Sequence, residues 1–131
     1  MSRHRALGAL AGCLVLLVAV GSAVAAVPFS RRAPARLLVS GQEYSLFLSR
    51  QTLRSGPAVI QFLNRGQDPH DLRLRRVGRT SGYAAKAPET RPGKLVELDA
   101  RLAPGRYRLW CSLPGHRARG MRAVLTVKRA R

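Results

Sequence analysis

Short segments of alternating apolar and polar residues recur along this 131-residue chain. In residues 43–49, the apolar residues Tyr44, Leu46 and Leu48 fall at every second position, and residues 94–99 also alternate. Residues 58–63 are instead almost continuously apolar, as expected for a strand inside a β-sandwich. The patterns together predict seven strands, over residues 36–40, 43–49, 58–63, 70–77, 94–99, 106–111 and 122–127.

The segments between these strands carry turn residues, such as the cluster at residues 64–69 and Ala103-Pro-Gly. Residues 51–56 are predicted to form a polar connection, and residues 78–92 a long crossing loop with room for one helical turn. No segment has a convincing amphipathic helical period. The sequence therefore predicts an all-β, antiparallel Greek-key β-sandwich over residues 36–131.

The N-terminal segment has the features of an export signal. Arg3 and Arg5 precede an apolar stretch over residues 6–27, and Ala23-Val-Ala is a cleavage signal, so residues 1–25 are predicted to be a signal peptide. An uncleaved membrane anchor reaching residue 27 and a lipoprotein signal with lipidation at Cys13 are alternatives. Residues 26–35, rich in Pro and Arg, are predicted to be a flexible tether. Export places the protein in the periplasm or another extracytoplasmic compartment, soluble or tethered to the membrane.

Removal of residues 1–25 would also remove Met1, His4 and Cys13. The remaining chain keeps one Cys, one Met and two His, namely Cys111, Met121, His70 and His116. A single cysteine in an exported chain cannot form an internal disulfide, so its presence needs another explanation. Taken separately, such residues are most often inert core, gap filler or a polar cap. Their joint spacing indicates a metal site.

Three of these residues lie on one short loop between two predicted strands. A thiolate, two imidazoles and a weak axial thioether form the ligand set of a blue-copper centre for electron transfer. Pro114-Gly115 would turn the loop back, and Gly120 would let Met121 approach from below. The sequence therefore predicts a single copper ion that alternates between Cu(I) and Cu(II), bound by His70, Cys111, His116 and Met121. A closed zinc site would need a different fourth ligand.

The sequence resembles the cupredoxins, the family of small blue copper proteins that includes plastocyanin and azurin. The resemblance rests on residues 64–71, 102–107, 110–116 and 120–121, and it covers roughly residues 36–128. It implies His70, Cys111 and His116 as equatorial ligands, Met121 as axial ligand, and electron exchange between larger redox partners. Many members have Asn at position 71. Asp71 would have to link the two ligand loops as an acceptor only, with Ser112 as a candidate donor.

The net charge of the chain is +18, and removal of Arg3 and Arg5 would leave +16. This excess predicts attraction to an anionic partner or membrane surface, with genomic preference for Arg as the alternative cause. Arg117, Arg119 and Arg122 are expected to surround an apolar patch at His116, which favours redox partners with an acidic surface. Membrane association through residues 6–27 is the other expected contact. A nucleic-acid partner is not expected, and the chain is expected to be a monomer.

Three functions fit these observations. An exported carrier of single electrons is favoured because Cys, two His and Met suit both copper oxidation states. A copper-handling module outside the cytoplasm, and a structural accessory domain of a membrane oxidase, are the alternatives. Neither the paired cysteines of a binuclear centre nor the His-x-His pairs of oxidase clusters occur in the mature chain. The protein is therefore not expected to be an enzyme.

Overall fold

The computed structural model describes residues 32–131, so the predicted signal peptide, the anchor alternative, Cys13 and most of the tether lie outside the described residues. Among residues 32–131, no helix has the length and hydrophobicity needed to cross a membrane. The described residues form nine strands: β1 (Ala35–Gln42), β2 (Ser45–Leu48), β3 (Thr52–Arg54), β4 (Gly56–Asn64), β5 (His70–Arg76), β6 (Ala85–Thr90), β7 (Leu95–Leu102), β8 (Gly105–Trp110) and β9 (Arg122–Lys128).

The strands form two sheets, in the orders β2-β1-β4-β7 and β3-β9-β8-β5-β6. This arrangement confirms the predicted all-β sandwich. Most neighbours are antiparallel, but β1 pairs with β4 and β3 pairs with β9 in parallel. The two parallel pairs make both sheets mixed, whereas the sequence analysis predicted antiparallel pairing throughout. Periodicity could not reveal this difference because parallel and antiparallel strands share the same period of two.

Two strands lie in segments that were predicted to be irregular. β3 occupies the predicted polar connection, and its one apolar side chain, Leu53, is buried in the core. β6 occupies the predicted crossing loop, where it pairs with β5 at the edge of the larger sheet and no helical turn occurs. Ala85 and Ala87 are buried on β6, but small side chains give a weak alternation signal.

The core lies between the two sheets and follows the alternation of the strands. Its largest members are fully buried, for example Phe62 on β4, Leu72 and Leu74 on β5, and Leu109 on β8. Tyr107 of β8 enters the core and donates its hydroxyl hydrogen to the carbonyl of Ala103, 2.9 Å away. A hydrogen bond from a buried Tyr to backbone a few residues upstream is a recurrent corner in β-sandwiches.

The pairing of β5 with β8 determines where the candidate ligands meet. The two strands are antiparallel, and Arg73 lies opposite Trp110. The start of β5 therefore lies beside the end of β8, so that His70 and Asp71 face the residues that follow Trp110. β9 begins at Arg122, directly beyond the loop, and pairs with β8 on its other side. Strand register thus brings the start of the 111–121 loop to the first residues of β5, and it places the end of the loop beside its start.

Candidate metal centre

Three of the predicted ligands lie together in the structure. One potential ligand atom from each of His70, Cys111 and His116, a ring nitrogen or the sulfur, lies within 4.8 Å of the other two. The Nδ1 atoms of His70 and His116 are 3.1 Å apart, and the Cys111 Sγ is 3.6 Å from the His116 Nδ1. Nitrogen and sulfur ligands bind a small transition-metal ion at about 2.0–2.3 Å, so ligands of one ion lie no more than about 4.6 Å apart. The two distances from the His116 Nδ1 lie inside this limit, so the spacing suits a single ion.

Met121, the predicted axial ligand, lies at the end of the same loop and is fully buried. Its backbone closes the loop, because the Met121 N–H donates to the His116 carbonyl and the Met121 carbonyl accepts from the Cys111 N–H, each at 3.1 Å. A Cβ at Gly41 would lie 3.0 Å from the Met121 methyl group. A glycine on β1 therefore leaves the space that the thioether occupies.

The two glycines of the loop lie where the sequence analysis predicted that the chain turns. Gly115 has φ +77° and Gly120 has φ +117°, both in the region that side chains with a Cβ rarely adopt. The first follows Pro114 in the turn that brings His116 back. The second lies directly before Met121. These glycines allow an eleven-residue loop, from Cys111 to Met121, to return both the imidazole and the thioether towards the thiol.

The Cys111 thiol is completely buried and free. Burial raises the pKa of this thiol, while the backbone N–H groups of Asp71 and Leu113 act in the opposite direction by donating to the sulfur. Those two donors come from the two segments that carry the imidazoles. They would stabilise a thiolate once a metal ion displaces the proton, because the thiolate is the form that ligates metals.

Asp71 links the two ligand segments, as the sequence analysis predicted. Its carboxylate accepts hydrogen bonds from the Ser112 N–H at 2.6 Å and from the Ser112 hydroxyl at 2.5 Å. The same carboxylate forms a salt bridge with Arg73 at 2.9 Å. Asp71 is nearly fully buried, so these three contacts, and not water, stabilise its negative charge. The link fixes the position of His70, on one side of Asp71, relative to Cys111.

Replacement of Asp71 by Asn is expected to lower the free energy of unfolding of the metal-free protein by about 2–3 kcal/mol. The change removes a charged acceptor from its donors and leaves the guanidinium of Arg73 without its counterion, and such losses are in this range. Urea denaturation of the purified protein would measure the effect. Asp99→Asn, an exposed carboxylate on β7, is the matched control. Equal stability of the two variants would contradict the role of Asp71.

Asn64 and Glu43 hold the approach to His70, and the sequence analysis assigned neither role. The fully buried Asn64 side chain donates to the carbonyls of Asp68 and Thr90 and accepts from the Gly66 N–H, each at 2.8 Å. The Glu43 Oε1 lies 3.0 Å from the His70 Nε2. Asn64 had a sequence signal, because it begins the predicted turn cluster. Glu43 had none, because it lies 27 residues upstream of His70.

The geometry and the donor atoms fit a type 1 copper centre. Cys and two His supply the strong ligands of such a centre, and a buried Met at the end of the loop matches the weak axial position. His70, Cys111 and Met121 are fully buried, whereas His116 is partly exposed. Within residues 32–131, this is the one group of His, Cys or carboxylate side chains with metal-ligand spacing. A small transition-metal ion would therefore bind here, and His116 is the partly exposed member of the three-residue group.

No family model and no curated protein matches the sequence. Comparison with solved structures does find matches. Reduced auracyanin from Roseiflexus castenholzii superposes with a TM-score of 0.61 at 18% identity, over 74% of this chain and 99% of the other. Auracyanin A, a blue copper protein from Chloroflexus aurantiacus, gives 0.60 at 20% identity, over 73% and 100%. Rusticyanin gives 0.59 at 17% identity, over 74% and 80%. The described chain has the cupredoxin fold.

Proposed function

We propose that this protein is an exported type 1 copper protein that carries single electrons between redox partners. The observation that supports the proposal most strongly is the convergence of His70, Cys111 and His116 in a chain with the cupredoxin fold. Met121 completes the ligand set as the axial ligand. Bound copper would supply a one-electron couple, taking an electron from a reduced partner protein and giving it to an oxidised one. The protein acts as a carrier and not as an enzyme.

His116 provides the route for the electron. It is the partly exposed member of the group, while His70 and Cys111 are shielded from solvent. Its ring packs edge-on against Tyr44, with centroids 5.1 Å apart, and Leu113 and Pro114 lie close to it in the chain. A docked partner would approach the ligands most closely here. The Asp71 link and the closed loop would hold the ligands in one arrangement in both oxidation states.

The charge around His116 supports an acidic partner. The Arg117 guanidinium lies 5.0 Å above the Trp110 ring, and the Arg119 guanidinium lies 4.6 Å above the Tyr44 ring. Neither arginine takes part in a salt bridge within residues 32–131. Complementary charge mainly increases the association rate. We infer that a negatively charged surface docks over His116, between these two cations.

The outer face of the larger sheet extends this positive surface. Arg75 of β5 lies directly opposite Arg108 of β8. Like charges opposite each other across two strands are destabilising, so an anionic partner that covers them would relieve the repulsion. A depression of about 550 Å³ on this face is lined in part by Trp110, Arg117 and Arg122. Arg117 therefore connects the sheet face to the His116 end of the molecule.

Export remains a proposal that rests on the sequence. The basic residues Arg3 and Arg5, the apolar residues 6–27 and the Ala23-Val-Ala site support cleavage after residue 25. Mass determination of the protein recovered from the producing cells tests this directly. A chain that begins at residue 26 supports the signal peptide. A full-length chain would favour the anchor, and a lipid adduct on Cys13 would favour the lipoprotein signal.

Protein-film voltammetry of the copper-loaded protein tests the carrier function. A reversible one-electron couple that survives many cycles without loss of copper is the expected result. The rigid ligand arrangement should keep the couple fast, because little structural change accompanies electron transfer. Release of copper upon reduction would instead favour a copper-handling module. An irreversible couple would contradict the carrier function.

Met121 is expected to tune the reduction potential and not to anchor the metal, since axial thioether bonds are weak. Met121→Gln should lower the potential and Met121→Leu should raise it, with copper retained in both. The Leu variant conserves volume, so its folding stability should change by less than about 1.5 kcal/mol. Voltammetry and metal analysis check both points. Copper loss from Met121→Leu as complete as that from Cys111→Ser would contradict this role.

A further inference from the structure

Glu43 approaches His70 from the side opposite to the cluster. The His70 ring is fully buried, and its Nε2 lies 3.0 Å from the Oε1 of Glu43. The Glu43 side chain is 27% exposed, so it forms the boundary between the buried imidazole and solvent. A carboxylate from the segment between β1 and β2 thus contacts the one candidate ligand that the 111–121 loop does not provide.

The positions of the two ring nitrogens determine which one carries the proton. The His70 Nδ1 faces the Nδ1 of His116, so the nitrogen that faces the ligand cluster is Nδ1. A ligating nitrogen must be free of its proton, and the remaining proton of a neutral imidazole is then on Nε2. That N–H points at a carboxylate oxygen. His70 therefore donates to Glu43, and the hydrogen bond selects the tautomer that can bind a metal through Nδ1.

The Glu43 carboxylate is itself held in place by the segment that leads to His70. Its Oε1 accepts the backbone N–H groups of Gln67 and Asp68, each at 2.8 Å. These N–H donors lower the pKa of Glu43 to about 2, and the Asp68 N–H has the largest effect. A Cβ at Gly66 would collide with the same oxygen, so a side chain at this position would push the carboxylate aside. The loop thus encloses one edge of the carboxylate.

We propose that Glu43 is a positioning residue that orients His70 and makes its Nδ1 a stronger donor to the copper, favouring Cu(II) over Cu(I). The proposal rests on the function proposed above. A carboxylate that accepts the second N–H of a ligating His fixes the ring and raises its basicity. The negative charge also favours the more highly charged metal ion. Glu43 consequently lowers the reduction potential of the site.

The test compares Glu43→Gln with Glu97→Gln in the full chain. The Glu43→Gln variant keeps the shape of the side chain and an oxygen for the hydrogen bonds from the 67–68 backbone, but it loses the charge. Its affinity for Cu(II) should fall about tenfold, with little change in its affinity for Cu(I). Loss of a hydrogen-bond partner of a ligating His lowers metal affinity by about 10–100-fold, and we expect the lower end of that range. A tenfold fall in the ratio of the Cu(II) affinity to the Cu(I) affinity raises a one-electron potential by about 59 mV. Glu97, whose carboxylate accepts from Gln61 on the other sheet, should have no such effect when changed.

Glu43→Asp serves as the conservative variant. It retains the negative charge, so its potential should lie between those of the wild type and Glu43→Gln. A purely structural role would give a different order, because Gln preserves the length of the side chain and Asp does not. Equal potentials and equal Cu(II) affinities for the wild type and Glu43→Gln would overturn the proposal.

Nitrogen NMR of histidine-labelled, metal-free protein gives a second and independent readout. A proton on the His70 Nε2 that is protected from exchange in the wild type is expected. This proton should exchange faster in Glu43→Gln, because a neutral amide oxygen is a weaker acceptor than a carboxylate. A His70 protonated at Nδ1 instead would overturn the proposal. A wild-type chain that binds no copper would contradict the proposed function and with it this role. A blue wild type whose potential is unaffected by Glu43→Gln would overturn the role of Glu43 alone.

Discussion

Replacement of Cys111 by Ser is expected to abolish the intense blue absorption of the Cu(II)-loaded protein completely. The colour of a type 1 centre depends on a copper–thiolate bond, and a serine hydroxyl is a harder and far weaker ligand. No other cysteine is present in residues 32–131, so no second thiol can replace the lost one. Absorption spectra of the two proteins at equal copper content would measure the change.

Two controls separate this effect from unfolding. Met121→Leu should keep the blue colour, because the proposed axial ligand contributes little to the thiolate band. The metal-free Cys111→Ser protein should retain its β-sheet circular dichroism, since the change replaces one small buried side chain by another. A Cys111→Ser protein that is still intensely blue would show that the thiolate does not ligate copper.

The second large effect is expected from reversal of charge beside His116. Oxidation of the Cu(I) protein by hexacyanoferrate(III), an anionic oxidant, should slow at least tenfold in Arg117→Glu/Arg119→Glu. Electrostatic steering changes association rates by about 10–10³-fold. The rate for the wild type should also decrease as ionic strength rises, because surface charges are screened over about 8 Å at physiological salt. Stopped-flow absorbance at several salt concentrations would measure both effects.

The control is a variant with the same change in net charge at the other end of β9. Lys128 and Arg129 are exposed, and seven residues of β9 separate this end from the ligand loop. At about 3.3 Å per residue, that distance exceeds two screening lengths. Lys128→Glu/Arg129→Glu should therefore react nearly as fast as the wild type. Equal rates for both double variants, with no dependence on salt, would indicate that the arginines reflect composition and do not guide docking.

The residues of the candidate site could be predicted in more detail than the pairing of the strands. Ligand identity depends on residue type and local spacing, and the Cys111–Met121 loop holds three of the four predicted ligands within eleven residues. The role of Asp71 was predicted from the resemblance to the cupredoxins, many of which have Asn at this position. Antiparallel pairing of β5 with β8 produces its contact with Ser112.

Other contacts between distant segments were not predictable from the sequence pattern. Glu43 reaches His70 because β1 and β4 are parallel neighbours, and alternation carries no information about strand order. β3 has one buried apolar residue, Leu53, and its strand conformation comes from pairing with β9. β6 likewise depends on pairing with β5 and presents only small side chains to the core. In each case tertiary contacts, and not local preference, determine the conformation.

The absorption spectrum of the purified protein during titration with Cu(II) tests the central claim most directly. The expected result is one intense blue band that grows linearly and reaches saturation at one equivalent of copper. A site with His70, Cys111, His116 and Met121 as ligands predicts this band. Cys111 is the one cysteine among residues 32–131, so no other thiolate in that range could produce it. A colourless complex with weak ligand-field absorption only, or no copper binding, would contradict the assignment of a type 1 copper centre.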